Sequence, residues 1–235
     1  MVPPTPNMAT SPPNHEPFVG NRLDKVPLVA GKSSRIIIPA NTFQDLEDGD
    51  TRDLSLKVID RDTGSDIDHL DWVTFRSDTQ EIVSLPLEEN IGIYNFRVVA
   101  YDRGGASTTD ELVMAVRQHQ VSRNFHHEFH ASFQMVDRDH WRHPVDWKLS
   151  LLDSLVTYHG DQDPGGITIL EMSENNGVIK VRWTNDSLPR QSCPKQEIIN
   201  LYGRMTSNER PSQSFKSAFH GQFRVRDISW EYRQS

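Results

Sequence analysis

The sequence predicts a β-sandwich followed by an α+β module whose elements run β-α-β-β-α-β. Three observations predict it. Between Arg22 and His119, short runs rich in β-branched and aromatic residues are separated by Gly- and Asp-containing turns. After Arg123 two stretches change to helical periodicity. Between those stretches lies Gly166–Trp183, where two β-rich runs flank Asn175-Asn176-Gly177. Asn-Gly accepts positive φ at little cost, so this stretch reads as a tight β-hairpin.

In the first module the strand-length runs are Leu23–Val29, Arg35–Pro39, Leu54–Ile59, Trp72–Arg76, Glu81–Leu85, Gly92–Tyr101 and Glu111–Arg117. About seven such runs in about a hundred residues is sandwich spacing. Turn signals at Gly31-Lys32, Gly49-Asp50, Thr63-Gly64 and Gly104-Gly105 separate them. The alternation in Gly92–Tyr101 places Tyr94, Phe96, Val98 and Ala100 on one face. Trp72 and Phe75 are expected in the core from a facing strand.

In the second module Phe125–Met135 alternates, with Phe129, Ala131, Phe133 and Met135 on one face. Pro144–Tyr158 is helical, with Trp147, Leu151, Leu152, Leu155 and Tyr158 sharing a stripe. Asp163-Pro164-Gly165 ends that region. In the returning hairpin strand, Ile179, Val181 and Trp183 face one way and Lys180 and Arg182 the other. Pro194 opens a second helix, where a missing N–H costs little, and Ile198, Leu201, Tyr202 and Met205 form its apolar face. In the last strand, Phe219–Tyr232, Phe223 and Val225 have one parity while Ile228, Trp230 and Tyr232 have the other. A bulge near Arg226-Asp227 reconciles them. The order is the split arrangement of ferredoxin-like folds. We divide the chain into residues 1–20, a stalk or linker, 21–120, the sandwich, and 121–235, the α+β module. The connection Gln118–Asn124 is short, which predicts limited rotation between the modules.

Composition narrows the function. A net charge of −8 argues against nucleic acid. No run of about 18 apolar residues exists to span a membrane, and the N-terminus lacks a signal-peptide pattern. Residues 1–17 are rich in Pro, Thr, Ser and Asn, a composition shared by O-glycosylated stalks and plain flexible linkers. Thr5, Thr10 and Ser11 are the O-glycan acceptors on the first reading. The single cysteine, Cys193, allows no internal disulfide.

Two clusters raise metal chemistry. Asp45, Glu47, Asp48 and Asp50 crowd one loop, Asp60, Asp62, Asp66, Asp68 and Asp71 another, and Asp102 opens a turn. Such carboxylates could ligate Ca²⁺, or form a solvated acidic rim; the EF-hand pattern is absent. His126, His127, His130, His140 and His143 also cluster. On a strand His126 and His130 stand about 13 Å apart, too far for one ion, so a solvated sheet face is expected. No hydrolase elbow, phosphate loop, dinucleotide fingerprint or paired-cysteine pattern is present, and no enzyme is predicted.

At Val178–Lys195 the chain resembles a known family. Val181-Arg182-Trp183-Thr184-Asn185-Asp186-Ser187-Leu188-Pro189, three residues, then Cys193-Pro194-Lys195-Gln196-Glu197-Ile198 is similar to the membrane-proximal ectodomain of the dystroglycan family. The helix Glu197–Met205 and strand Phe219–Trp230 continue the likeness. Upstream, Arg22-Leu23-Asp24-Lys25-Val26, Ile36-Ile37-Ile38-Pro39, Phe43-x-Asp45-x-Glu47-Asp48, Trp72-Val73-x-Phe75 and Ala100-x-Asp102-x-x-Gly105 resemble its second cadherin-like (immunoglobulin-like) domain.

The resemblance implies a cell-surface receptor joining extracellular matrix, through laminin-type proteins held by glycans, to dystrophin inside the cell, with sarcoglycan-type membrane neighbours. It implies an SEA-type second module. There a Gly-Ser peptide in the hairpin is cut by its own serine hydroxyl, leaving two associated chains. The matching pair here is Gly177-Val178, and valine has no oxygen nucleophile. This chain is therefore expected to stay whole across the hairpin. The resemblance also implies that Cys193 pairs with a cysteine following the last strand. Asn185 in Asn185-Asp186-Ser187 is expected to carry an N-glycan at an exposed hairpin exit. The alternative is a calcium-dependent cadherin-like adhesion module, through Asp45, Glu47, Asp48, Asp50 and Asp102. A metal hydrolase using the histidines is a third class and predicts bound zinc.

Overall fold

The computed structural model describes residues 13–119, 127–188, 194–219 and 221–232. Thr5, Thr10, Ser11, His126 and Cys193 lie outside the described residues.

The first module holds β1 (Phe18–Val19), β2 (Val26–Val29), β3 (Ser34–Ile37), β4 (Phe43–Asp45), β5 (Gly49–Asp50), β6 (Ser55–Asp60), β7 (Val73–Arg76), β8 (Glu81–Ser84), β9 (Gly92–Tyr101) and β10 (Ser107–Arg117). One sheet runs β2-β10-β9-β6 and another β3-β8-β7, with a small third sheet β1-β4-β5. β2 lies parallel to β10, and the remaining pairings are antiparallel. Side chains from both larger sheets fill one core: Leu28, Val58, Phe96, Val98 and Met114 meet Ile38, Trp72, Val73 and Ile82. The alternation along β9 does put Phe96, Val98 and Ala100 fully inside. Tyr94, half-buried, packs against Trp72 with ring centroids 4.8 Å apart.

The second module holds β11 (His127–Met135), α1 (Pro144–His159), β12 (Ile167–Asn175), β13 (Val178–Asn185), α2 (Lys195–Met205), β14 (Thr206–Ser207), β15 (Arg210–Pro211), α3 (Gln213–Ala218) and β16 (Phe223–Tyr232). Its main sheet has the order β12-β13-β11-β16, with every pairing antiparallel. Ile169, Ile179, Val181, Trp183, Phe129, Phe133 and Val225 line one face under the helices. Fully burying each large apolar side chain stabilises by roughly 1.5–3 kcal/mol. The bulge stands where parity demands it: Asp227 pairs with Ser132, Val225 with Phe133, and Arg226 is passed over. Pro144 starts α1, and Gly160, at φ 76°, ends it.

The small sheet β1-β4-β5 and the β14-β15 pair are not among the strands expected from the sequence, and three further features depart from it. The last strand begins at Phe223 rather than Phe219, because α3 is inserted before it and Phe219 closes that helix. α1 buries Val145, Lys148 and Leu149 as well as its expected stripe. The cause is that its outer face meets the first module, and Val83, Leu85 and Leu87 join the second module's core. His127 is not on a solvated face: it is 4% exposed on the core side of β11.

Candidate functional site

The hairpin turns on two residues, Asn176 at φ 51° and Gly177 at φ 79°. Asn175 pairs directly with Val178 across them. Positive φ at both central residues is the type I′ arrangement, whose twist matches the flanking strands. The Gly177 carbonyl accepts from the Met135 N–H at 2.8 Å and from Gln134 Nε2 at 3.1 Å. The Gly177 N–H donates to Glu174 Oε1 at 2.5 Å. A β-carbon at Gly177 would stand 2.8 Å from Gln134 Nε2. Val178 is half-buried and pairs with Gln134 on its other side. The residues on either side of the Gly177-Val178 peptide are thus paired in the ladder from Asn175–Val178 as far as Glu171–Arg182.

At the far end of the hairpin, Asn185 pairs with Ile167 and is only 7% exposed. Its N–H donates to His127 Nε2 at 3.2 Å, and its Oδ1 accepts from the Ser187 N–H at 2.8 Å. Of the sequon residues only Ser187 is exposed. The exposed exit expected from the sequence is therefore not seen at Asn185, because the last pair of the ladder is covered by His127. The sequence offered no sign of that cover.

Beside the sequon the two modules are joined. Lys32, on the turn after β2, reaches Asp186 Oδ2 at 2.6 Å, Gly165 O at 2.6 Å and Ile167 O at 2.8 Å. All three ammonium protons are used. Asp186 also accepts from the Thr168 hydroxyl at 2.6 Å, and its side chain is 7% exposed. Gly31 donates its N–H to Pro86 O at 2.7 Å and accepts from the Ile169 N–H at 3.0 Å. It does so at φ 82°, with Ile169 O 2.4 Å from where a β-carbon would sit. Only glycine combines that conformation with that approach. Along α1, Lys148 Nζ meets Asp71 at 2.6 Å, Arg76 meets Asp146 at 3.2 Å, and His143 meets Asp68 at 3.5 Å. Lys148 is buried although its partner is exposed.

The carboxylates of Asp45–Asp50 gather near Asp102, where their oxygens are engaged locally, whereas the Asp60–Asp71 loop leaves the opposite end of β6. Asp45 Oδ1 caps the Glu47 and Asp48 N–H groups, Asp50 Oδ1 caps the Arg52 N–H, and Glu47 pairs with His15 at 2.5 Å. Asp48 accepts from the Arg103 N–H, and Asp102 from Asn14 and the Ala106 N–H. Burial works against the Asp102 charge. Hydrogen bonds from Asn14, Ala106, Gly105 and Gly104 nonetheless hold its carboxyl below the usual range. Glu47 holds the His15 imidazole above its ordinary value, first by the hydrogen bond and then by charge. Among the described residues no three of His, Cys, Asp or Glu are placed to hold a metal ion. His140, His143 and His130 do not converge.

Residues 13–117 match the family described as the α-dystroglycan third Ig-like domain, and residues 127–235 match dystroglycan domain 4. The chain belongs to the dystroglycan family. Solved structures resemble this dystroglycan-family chain distantly. A chimeric titin Z1Z2 carrying an exogenous decorin peptide is 12% identical, covering 46% of this chain and 99% of its own, at a TM-score of 0.33. Cadherin domains 1–4 of protocadherin gamma B7 are 13% identical over 75% of this chain and 42% of theirs, at 0.33. The human desmocollin-1 ectodomain is 13% identical over 76% and 33%, at 0.32. At such scores none of these carries an argument about function. The family itself makes this an extracellular receptor piece of predominantly β structure with few helices. No helix among the described residues is long and apolar enough to cross a membrane.

Proposed function

We propose that this dystroglycan-family chain is an uncut, two-module tether in the membrane-proximal ectodomain of a matrix receptor. One module is a cadherin-like sandwich and the other an SEA-type module. The antiparallel order β12-β13-β11-β16 with crossing helices supports a ferredoxin-like reading of the second. Upstream glycans would hold laminin-type matrix proteins, and a cytoplasmic segment would reach dystrophin, with sarcoglycan-type proteins as membrane neighbours.

The observation that carries the reading is the Gly177-Val178 peptide. Val178 carries no hydroxyl, and it pairs with Asn175 on one side and Gln134 on the other. A self-cutting hairpin needs both a nucleophile and a distorted peptide bond to make attack worthwhile. Val178 offers no such nucleophile, and on this reading pulling force runs through one covalent backbone. The calcium-dependent adhesion alternative has less support, since the carboxylates it would use are committed to turn capping.

Intact mass of the protein from a secretory host tests this. A single chain is expected, with or without an N-glycan on Asn185. A new amino terminus at Val178 would refute the tether. The same measurement reports whether Cys193 carries a partner.

A further inference from the structure

The end of α1 contains a buried imidazole that the tether does not use. His159 Nδ1 and Nε2 are both shut from solvent, and neither has a hydrogen-bond partner. A buried ring nitrogen without a partner has given up its water for nothing, so native proteins supply one. The His159 side chain borders a cavity of about 300 Å³ lined by Tyr158, His159, Leu201, Arg204 and Ser214. These residues come from α1, α2 and α3.

The polar lining is rich in donors, with the Ser214 hydroxyl also sharing a hydrogen bond with Ser212 at 3.0 Å. The Arg204 guanidinium, an imidazole N–H, the Tyr158 phenol and the Ser214 hydroxyl can all donate hydrogen bonds, and no carboxylate lines the cavity. Arg204 is exposed and makes no ion pair among the described residues. In a chain of net charge −8, a carboxylate-free pocket with an uncommitted guanidinium selects for negative charge. The volume is at the small end for ligand sites, about 300–1,000 Å³, which suits an acid group and little else.

We propose that Tyr158, His159, Arg204 and Ser214 bind a small oxyanion, a phosphate or sulfate group either free or as a simple ester. The anion accepts from the guanidinium and hydroxyls, and a small rotation of the His159 ring toward the cavity it borders gives the imidazole the partner it lacks. Burial, then the Arg204 charge, then His127 hold the His159 pKa at about 4. A bound anion offsets the Arg204 charge and hydrogen-bonds the protonated ring, so binding takes up a proton and tightens as pH falls. Arg204 from α2, His127 from β11 and Tyr158 on α1 are the titratable or charged groups facing the ring.

The test follows the His159 ring resonances through a pH titration in chloride. It is repeated at equal ionic strength with inorganic phosphate, inorganic sulfate and methyl phosphate. The expected result is that the His159 midpoint rises by at least one unit with an oxyanion. Arg204→Gln should abolish that rise and Arg204→Lys keep part of it. Arg204 is exposed, so both variants fold. A response to the inorganic ions alone marks a free-anion site, and a response to methyl phosphate alone marks a site for an esterified group. An unchanged His159 titration with every anion, or a rise that survives Arg204→Gln, overturns the proposal.

Discussion

Replacing Lys32 with methionine keeps the length of the side chain and removes its charge and three donors. In the native protein those donors serve Asp186 and the carbonyls of Gly165 and Ile167, across 133 to 154 residues of sequence. Breaking a buried ion pair by deleting one partner costs about 3–5 kcal/mol, most of it from the stranded charge. Asp186 retains the Thr168 hydroxyl, and Lys32 is 20% exposed, so the low end applies, about 3 kcal/mol. For a chain of this size that lowers the melting temperature by about 6–12 °C. Because Val83, Leu85 and Leu87 belong to the second module's core, the wild type should unfold in one urea transition. Tryptophan fluorescence, dominated by buried Trp72, Trp147 and Trp183, reports both modules. Lys32→Met should lower the midpoint and separate two transitions. A double-mutant cycle with Asp186→Asn should return a coupling above about 1 kcal/mol. An unchanged midpoint, or strict additivity in the cycle, would refute the view that this contact fastens the modules.

Three further outcomes are expected. Gly31→Ala puts a β-carbon 2.4 Å from Ile169 O at a positive φ; it should destabilise by more than about 1 kcal/mol, read from urea midpoints, whereas Gly64→Ala, with open space around it, should suffer only the φ penalty. Stability in phosphate-free buffer should fall as pH drops from about 6.5 to about 4. In that window the unfolded His159 binds a proton that the folded one, with its pKa near 4, refuses. The full shift is worth about 3 kcal/mol, and His159→Leu should flatten that part of the calorimetric profile. Val178→Ser restores a hydroxyl but not distortion, because Asn176 and Gly177 already occupy the conformations a two-residue turn favours. Mass spectrometry should find the variant still whole, and a split chain would show that the hydroxyl alone suffices.

Much of the candidate site was legible in the chain. The hairpin follows from Asn176-Gly177 and the alternation Ile179, Val181, Trp183, and the missing nucleophile follows from one letter at 178. The surroundings of Asn185 were not legible. The motif specifies three adjacent residues, whereas its burial depends on His127, 58 residues away. The acidic loops misled in the same way, since composition counts carboxylates but not the backbone N–H groups that already occupy them.

By itself the sequence determined the local conformations: which runs are strands, where α1 begins at Pro144, and the bulge at Arg226, which parity alone requires. These are readable because pleat, helix pitch and turn dihedrals impose periods of a few residues. Only the tertiary structure decided that α1 is covered on both sides, that Lys148 is buried, and that Lys32 and Gly31 meet the second module. It also decided that His159 closes a donor-lined cavity. Such contacts join residues far apart in the chain, and no local period records them, because they depend on how two finished surfaces fit.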